Sequence, residues 1–313
     1  MAEKISLDLG EAESNAPAGG KHVSPAIHAP PMVPKRKSRA QQTLPLFASA
    51  MRKQTPAEEL ARVDGRPALV STGLRGLDEK LGGGLPVGAL TWVAERPDSG
   101  ALGLLLGSAL KNAKRKWPVA VASDRRSEQE IQQRICAIEG KVHAFRVAAG
   151  LASAEDRMAM AAARKRVPWK RFAILAGRSI DPKELDELLF TYRPVILFAD
   201  LRPRAPGASR HERLDSYREG VTRLGSLARR HQTAVVLFEG LRASPEPPQI
   251  DELPGRGTMA ELAQTVLLAG PSGSGLALSV PRLAGAWLDT PRTLRLRYDV
   301  RFDRVHQSPR PRT

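Results

Sequence analysis

Apolar positions along this chain fall into two kinds of run that take turns. "ALTWVA", "PVAVAS", "RFAILA", "PVILFAD", "TAVVLFEG" and "TVLLAG" are nearly continuous apolar stretches of strand length. Strands that read this way are buried on both faces, as in a parallel sheet packed between helices. Between them the spacing changes to three and four: Leu214, Tyr217, Val221, Leu224 and Leu227 in "ERLDSYREGVTRLGSLARRH" form one stripe of a helix. The alternation predicts an α/β layered domain with a mostly parallel sheet flanked by helices. Near the C-terminal end "TLRLRYDVRFDRV" switches to a period of two, which predicts a strand pair. It sets Arg292, Arg295, Arg297, Arg301 and Arg304 against Asp299 and Asp303. There is no internal repeat.

Both periods are absent from residues 1–56, which are rich in Ala, Pro, Ser and charge, with "HAPPMVPKRKSRAQQ" in the middle. That composition predicts a disordered tail, followed by a folded domain over 57–307 and a short disordered C-terminus at 308–313. One apolar island interrupts the tail, "QQTLPLF". Its Leu44, Leu46 and Phe47, preceded by Gln42, have no neighbouring apolar pattern to pack with, so residues 42–47 read as a docking peptide.

Charge narrows the class of partner. The 313 residues carry a formal net charge of +16 and a pI near 10.6, which favours a polyanion, because each neutralised phosphate releases condensed counterions. DNA is the leading candidate, with Lys35, Arg36 and Lys37 of the tail and Arg292, Arg295, Arg297, Arg301 and Arg304 as its contacts. The single cysteine, Cys136, has no partner for an intrachain disulfide, and no CxxC or His/Cys cluster offers a zinc site. His211, His231 and His306 lack metal-ligand spacing and read as structural or exposed. With no signal-like or membrane-length apolar stretch, the expected location is cytoplasmic and nucleoid-associated, away from any membrane.

The order of segments adds more than any one of them. "STGLRGLDEKLGGGLPVGALTWVAERPDSGALGLLLGSALKNA" resembles the start of the ATPase core in the RecA-like P-loop superfamily, which includes the DnaB-type replicative helicases and the RadA and KaiC groups. The likeness continues through "ASDRRSEQEIQQRI", a Walker B-like "PVILFAD", a sensor-like "VVLFEGLR" and "LPGRGTMAELAQTVLLAG", and it spans roughly residues 70–305. The opening segment is also similar to the ImuA-type accessory factors of mutagenic translesion synthesis. These resemblances imply a RecA-like fold and work in DNA replication or repair, including the SOS response. They imply protein partners such as a translesion polymerase complex or RecA. "TLPLF" is similar to the peptide that binds the bacterial sliding clamp, although Thr43 stands where the usual form begins with Gln and Gln42 falls one position early.

One motif departs from the resemblance. A working phosphate loop, Gly-x4-Gly-Lys-Ser/Thr, needs glycines for close backbone approach, a Lys for the terminal phosphates and a hydroxyl for Mg²⁺. This chain has Glu95 at the first Gly, Asp98 where a further Gly is common, Ala101 at the Lys and Leu102 at the hydroxyl, and keeps only Gly100. Loss of the Lys removes a charge-assisted contact worth about 1.5–3 kcal/mol. Each acid facing phosphate at about 4 Å costs on the order of 4 kcal/mol at an effective dielectric near 20. The expectation is a pseudo-ATPase that takes no nucleotide cofactor. Asp200 at the Walker B position then reads as a strand-end cap or ion-pair partner.

By the same resemblance Asp124 stands at the catalytic Glu and Glu239 near the sensor Gln. Arg282 stands where helicases place a residue that reaches into a neighbour's ATP site, against the plainer reading of a surface arginine. Two alternatives stay open from sequence. One is an active ATPase or helicase subunit in which Lys111 or Lys114 replaces the missing lysine; the other is a structural partner of an active paralogue.

Overall fold

The computed structural model describes residues 69–97, 99–177, 180–201, 209–273, 275–299 and 304–307, all of them within one compact unit, Lys37–Thr313. The expected tails at 1–56 and 308–313 and the candidate peptide 42–47 lie outside the described residues. A short antiparallel pair, β1 (Leu69–Val70) and β2 (Leu85–Pro86), brackets helix α1 (Arg75–Lys80). Asp78 organises this lead-in by accepting the Ser71 hydroxyl at 2.6 Å and the Thr72 hydroxyl and N–H at 2.7 Å.

The main sheet has nine strands in the order β11-β10-β9-β8-β3-β7-β6-β4-β5. Strands β3 (Leu90–Glu95), β4 (Val119–Ser123), β5 (Phe172–Ala176), β6 (Ile196–Asp200), β7 (Ala234–Gly240) and β8 (Thr265–Ser272) are parallel to their neighbours in this group. They are the six apolar runs read in the sequence. Strands β9 (Gly275–Leu283), β10 (Ala286–Asp299) and β11 (Arg304–Gln307) extend the sheet antiparallel from β8, which confirms the period-two strand pair.

Each parallel strand feeds both faces, because successive side chains point to opposite sides. Val93, Val121, Phe198, Val236 and Leu267 pack with Leu105, Leu106 and Ala109 of α2 (Ala101–Lys114) and with Ile131 and Ile135 of α3 (Glu128–Gly140). A short α4 (Ala144–Ala148) and α5 (Ala154–Arg166) follow on the chain. On the other face Trp92, Ala94, Leu197, Leu237 and Leu268 pack with Leu185, Leu188 and Leu189 of α6 (Pro182–Tyr192) and with α7 (Arg210–His231). Tyr217, Val221, Leu224 and Leu227 of the expected α7 stripe are buried, and Leu214 is half-buried beside them. Full burial of each such side chain contributes about 1.5–3 kcal/mol.

The helices start where the sequence supplies caps. Ser127 with Glu130, Ser153 with Asp156, Asp181 with Glu184 and Ser209 with Glu212 each form a reciprocal capping box, satisfying N–H groups that the first turn leaves unpaired. Among the described residues no helix is long and apolar enough to cross a membrane, and no group of His, Cys, Asp or Glu is placed to hold a metal ion.

Candidate functional site

Strand β3 ends at Glu95 and helix α2 begins at Ala101, so the intervening loop sits where a P-loop fold presents its phosphate cradle. The first N–H groups of a helix have no partner within it and carry partial positive charge, which makes them an anion site. Here a carboxyl group of the chain itself lies beside that helix start. The Glu95 carboxylate accepts the Ser99 hydroxyl at 2.8 Å, and the Ser99 hydroxyl oxygen in turn accepts the Ala101 N–H at 3.2 Å. Burial pushes the Glu95 pKa up to about 7, against the lowering pull of Ser99, of the Arg126 charge and of the nearby backbone of Leu102 and Ala101. Glu95 therefore not only repels a phosphate but is tied through Ser99 to the start of α2.

The rest of the loop is equally engaged. Gly100 has φ +83°, a left-handed conformation, and a Cβ built there would lie 2.5 Å from the ring of Tyr298. An aromatic side chain of β10 therefore presses on the start of α2. Ala101 is fully buried, and Leu102 packs against the core, so neither position projects a group toward a ligand. Asp98 lies outside the described residues.

Arg96, only 2 % exposed, makes a two-pronged ion pair with Glu252 at 2.5 and 2.8 Å and donates to the carbonyls of Arg242 and Glu246. Its own N–H donates to the Ala269 carbonyl at 2.8 Å. The loop is thus pinned to β8 and to the segment after β7. Nothing in the sequence pattern singled out Arg96, because its partner is 156 residues away.

At the neighbouring strand ends, Asp200 is an ion-pair partner, one of the two readings the sequence left for it. Arg126 pairs with one of its oxygens, Arg125 lies 3.1 Å from the other, and the Ser123 hydroxyl donates at 3.1 Å. Arg125 also lies 4.0 Å from Glu239, which accepts the Tyr217 hydroxyl at 2.5 Å, while the Tyr217 ring stacks on Trp92. Burial raises the pKa of Glu239, and Tyr217 and Arg125 oppose the shift. Two guanidinium groups therefore balance the carboxylates where a nucleotide site would place a metal ion. Their signal in the sequence is the pair Arg125 and Arg126, which follows the end of β4 after one intervening residue. Asp124, at the expected catalytic position, lines a cavity of about 220 Å³ bordered by Tyr217, Leu185 and Leu224.

Taken together the residues do not fit Mg-ATP. The Ala101 N–H is taken by Ser99, whose hydroxyl is bound to Glu95, and Ala101 and Leu102 supply neither lysine nor hydroxyl. Lys111 and Lys114 lie in the last turn of α2, about 15–20 Å along the helix from its start at 1.5 Å per residue. Lys111 donates to the Gly73 carbonyl at 2.9 Å, and Lys114 pairs with Glu139 at 2.6 Å. Both lysines are thus engaged away from the start of α2.

Arg282 donates to the carbonyls of Ala263 and Glu261 and lies over Trp287, held by its own chain. His231 pairs with Asp186 at 2.5 Å, His211 with Asp215 at 3.3 Å, and His306 is exposed. The candidate DNA contacts separate. Arg295 and Arg297 are exposed side by side on β10. Arg292 instead caps α1 through the Lys80 carbonyl at 2.8 Å, and Arg304 is half-buried opposite Asp299. Arg301, Lys35, Arg36, Lys37, Gln42, Leu44, Leu46 and Phe47 lie outside the described residues.

Residues 70–193 match the family model described as the DnaB-like helicase C-terminal domain. Among solved structures, an ATPase domain aligns with a TM-score of 0.66 at 18% identity, covering 80% of this chain and 95% of that one. A DnaB-like replicative helicase, solved with a view to its interactions with primase, aligns with the same TM-score and identity over 80% of this chain and 65% of its own. No curated protein matches by sequence.

Proposed function

The chain has the RecA-like P-loop fold, and from that premise we propose that it serves DNA replication or repair as a non-hydrolysing, DNA-associated protein whose nucleotide site is filled from within. The observation that carries this reading is the relay at the start of α2, in which the Ala101 N–H donates to Ser99 and the Ser99 hydroxyl donates to the Glu95 carboxylate. The pairing of buried Arg96 with Glu252 and the Tyr298 ring on Gly100 support it. For ATP to bind, its phosphates would have to approach the Glu95 carboxyl and displace the Ser99 contact in a site that offers no lysine in exchange.

DNA and protein partners then carry the function. The translesion role implied by the ImuA-like opening belongs to this proposal, as do a sliding clamp, a translesion polymerase complex and RecA as partners. Binding of a fluorescent ATP analogue with Mg²⁺ tests the central claim. No saturable binding is expected. A dissociation constant below about 100 μM would overturn it, since that affinity requires about 5.5 kcal/mol from a site already occupied.

A further inference from the structure

Strands β9, β10 and β11 bury Leu276, Leu278, Val280, Leu296 and Val305 in the core that contains α2. Alternate residues point the other way, and none of them joins either core. Thr293, Arg295, Arg297 and His306 are exposed, with Ala277 and Ser279 half-buried between them. Register sets Thr293 beside Ser279, Arg295 beside Ala277, and Arg297 between Gly275 and His306. Ser279 pairs with Leu268 and Arg282 with Val266, so Arg282 and its cross-strand partner Trp287 share this face. The Arg282 guanidinium lies 5.0 Å from the Trp287 ring centroid, and Trp287 is 44% exposed.

We propose that this open face is a platform for single-stranded nucleic acid, an inference that rests on the reading above that the chain acts on DNA. Arg295 and Arg297, two residues apart on one strand, are separated by about 6.8 Å, comparable to the repeat of an extended sugar-phosphate backbone. Among the described residues neither is in an ion pair, and the acids of β10, Asp289 and Asp299, lie toward its two ends. Gly275, Ala277 and Ser279 leave a low floor beside the arginines on which sugars and bases can lie. At the far end Trp287 offers a π-face for a base, and Arg282 holds its ring in place. The face is three strands wide, about 10 Å at 4.8 Å per strand.

The test is fluorescence anisotropy of a labelled oligothymidine with the full chain. The wild type binds saturably and loses affinity with salt. Arg295→Ala with Arg297→Ala weakens binding at least tenfold and makes the slope of log K against log salt shallower by about 1.4, two contacts at about 0.7 each. Trp287→Ala weakens binding about fivefold or more with the slope unchanged, and Trp287→Phe restores it. These side chains are exposed, and an unchanged melting temperature verifies that each variant is folded. Wild-type affinity and slope in the arginine variant, or equal affinity for a duplex of the same length, overturn the platform while leaving DNA association intact. A wild-type chain that binds neither oligonucleotide overturns the DNA reading itself.

Discussion

Glu95 links the chemistry of the loop to the stability of the fold. Its carboxyl titrates near pH 7 when folded, against a value of 4.5 when free, so the folded state holds the proton more tightly than the unfolded chain. The stability contributed by that proton is fully present below about pH 4.5 and lost as the pH rises through 7. The difference of about 2.5 units corresponds to roughly 3 kcal/mol. Glu95→Gln keeps an acceptor oxygen for the Ser99 hydroxyl and has no charge to bury. Urea unfolding is expected to show the variant more stable by up to about 3 kcal/mol at pH 8 and equal to wild type at pH 4; an equal difference at both pH values would contradict a buried carboxyl. The missing Lys and hydroxyl were legible at this scale because they are read one position at a time. That Glu95 turns inward, and that Arg96 meets Glu252, depends on segments brought together from across the chain.

At the scale of elements, strands and helices were legible where burial imposes a period. The six apolar runs became parallel strands, and the α7 stripe faces the sheet because burial on both faces leaves little freedom in how those segments pack. Order within the sheet was not legible: β8 lies beside β3, and that placement brings the C-terminal strands over the start of α2. Tyr298 reaches Gly100 by this route, and Arg292 reaches the end of α1. A coupling follows between two elements that the sequence keeps far apart. Gly100→Ala forces a Cβ into the Tyr298 ring at φ +83°, with an expected loss of about 1–3 kcal/mol from backbone strain and overlap. In Gly100→Ala with Tyr298→Ala the overlap disappears and only the backbone strain remains, so the two losses should sum to more than the double variant shows. Additive losses in denaturant unfolding would mean that the ring does not press on the loop.

Across the whole molecule, charge and apolar surface divide between the body and the first residues. Residues 1–56 hold eight Lys and Arg against four Asp and Glu, a net +4 of the chain's +16. Most of the attraction for a polyanion therefore belongs to the remainder, with Lys35, Arg36 and Lys37 a local supplement. The feature of these residues that DNA does not explain is the island of Leu44, Leu46 and Phe47, since apolar side chains gain nothing from phosphate. Burial in a protein partner supplies the reason: each large side chain contributes about 1.5–3 kcal/mol, offset by the ordering of the peptide, which suits a micromolar complex with a sliding clamp. Leu46→Ala with Phe47→Ala is expected to abolish capture by purified clamp while leaving thermal unfolding and oligothymidine affinity at wild-type values. Melting several degrees lower would instead place the island in the chain's own core. Unchanged stability with a clamp that binds neither form would leave the island to a different protein partner and remove the clamp from the proposal.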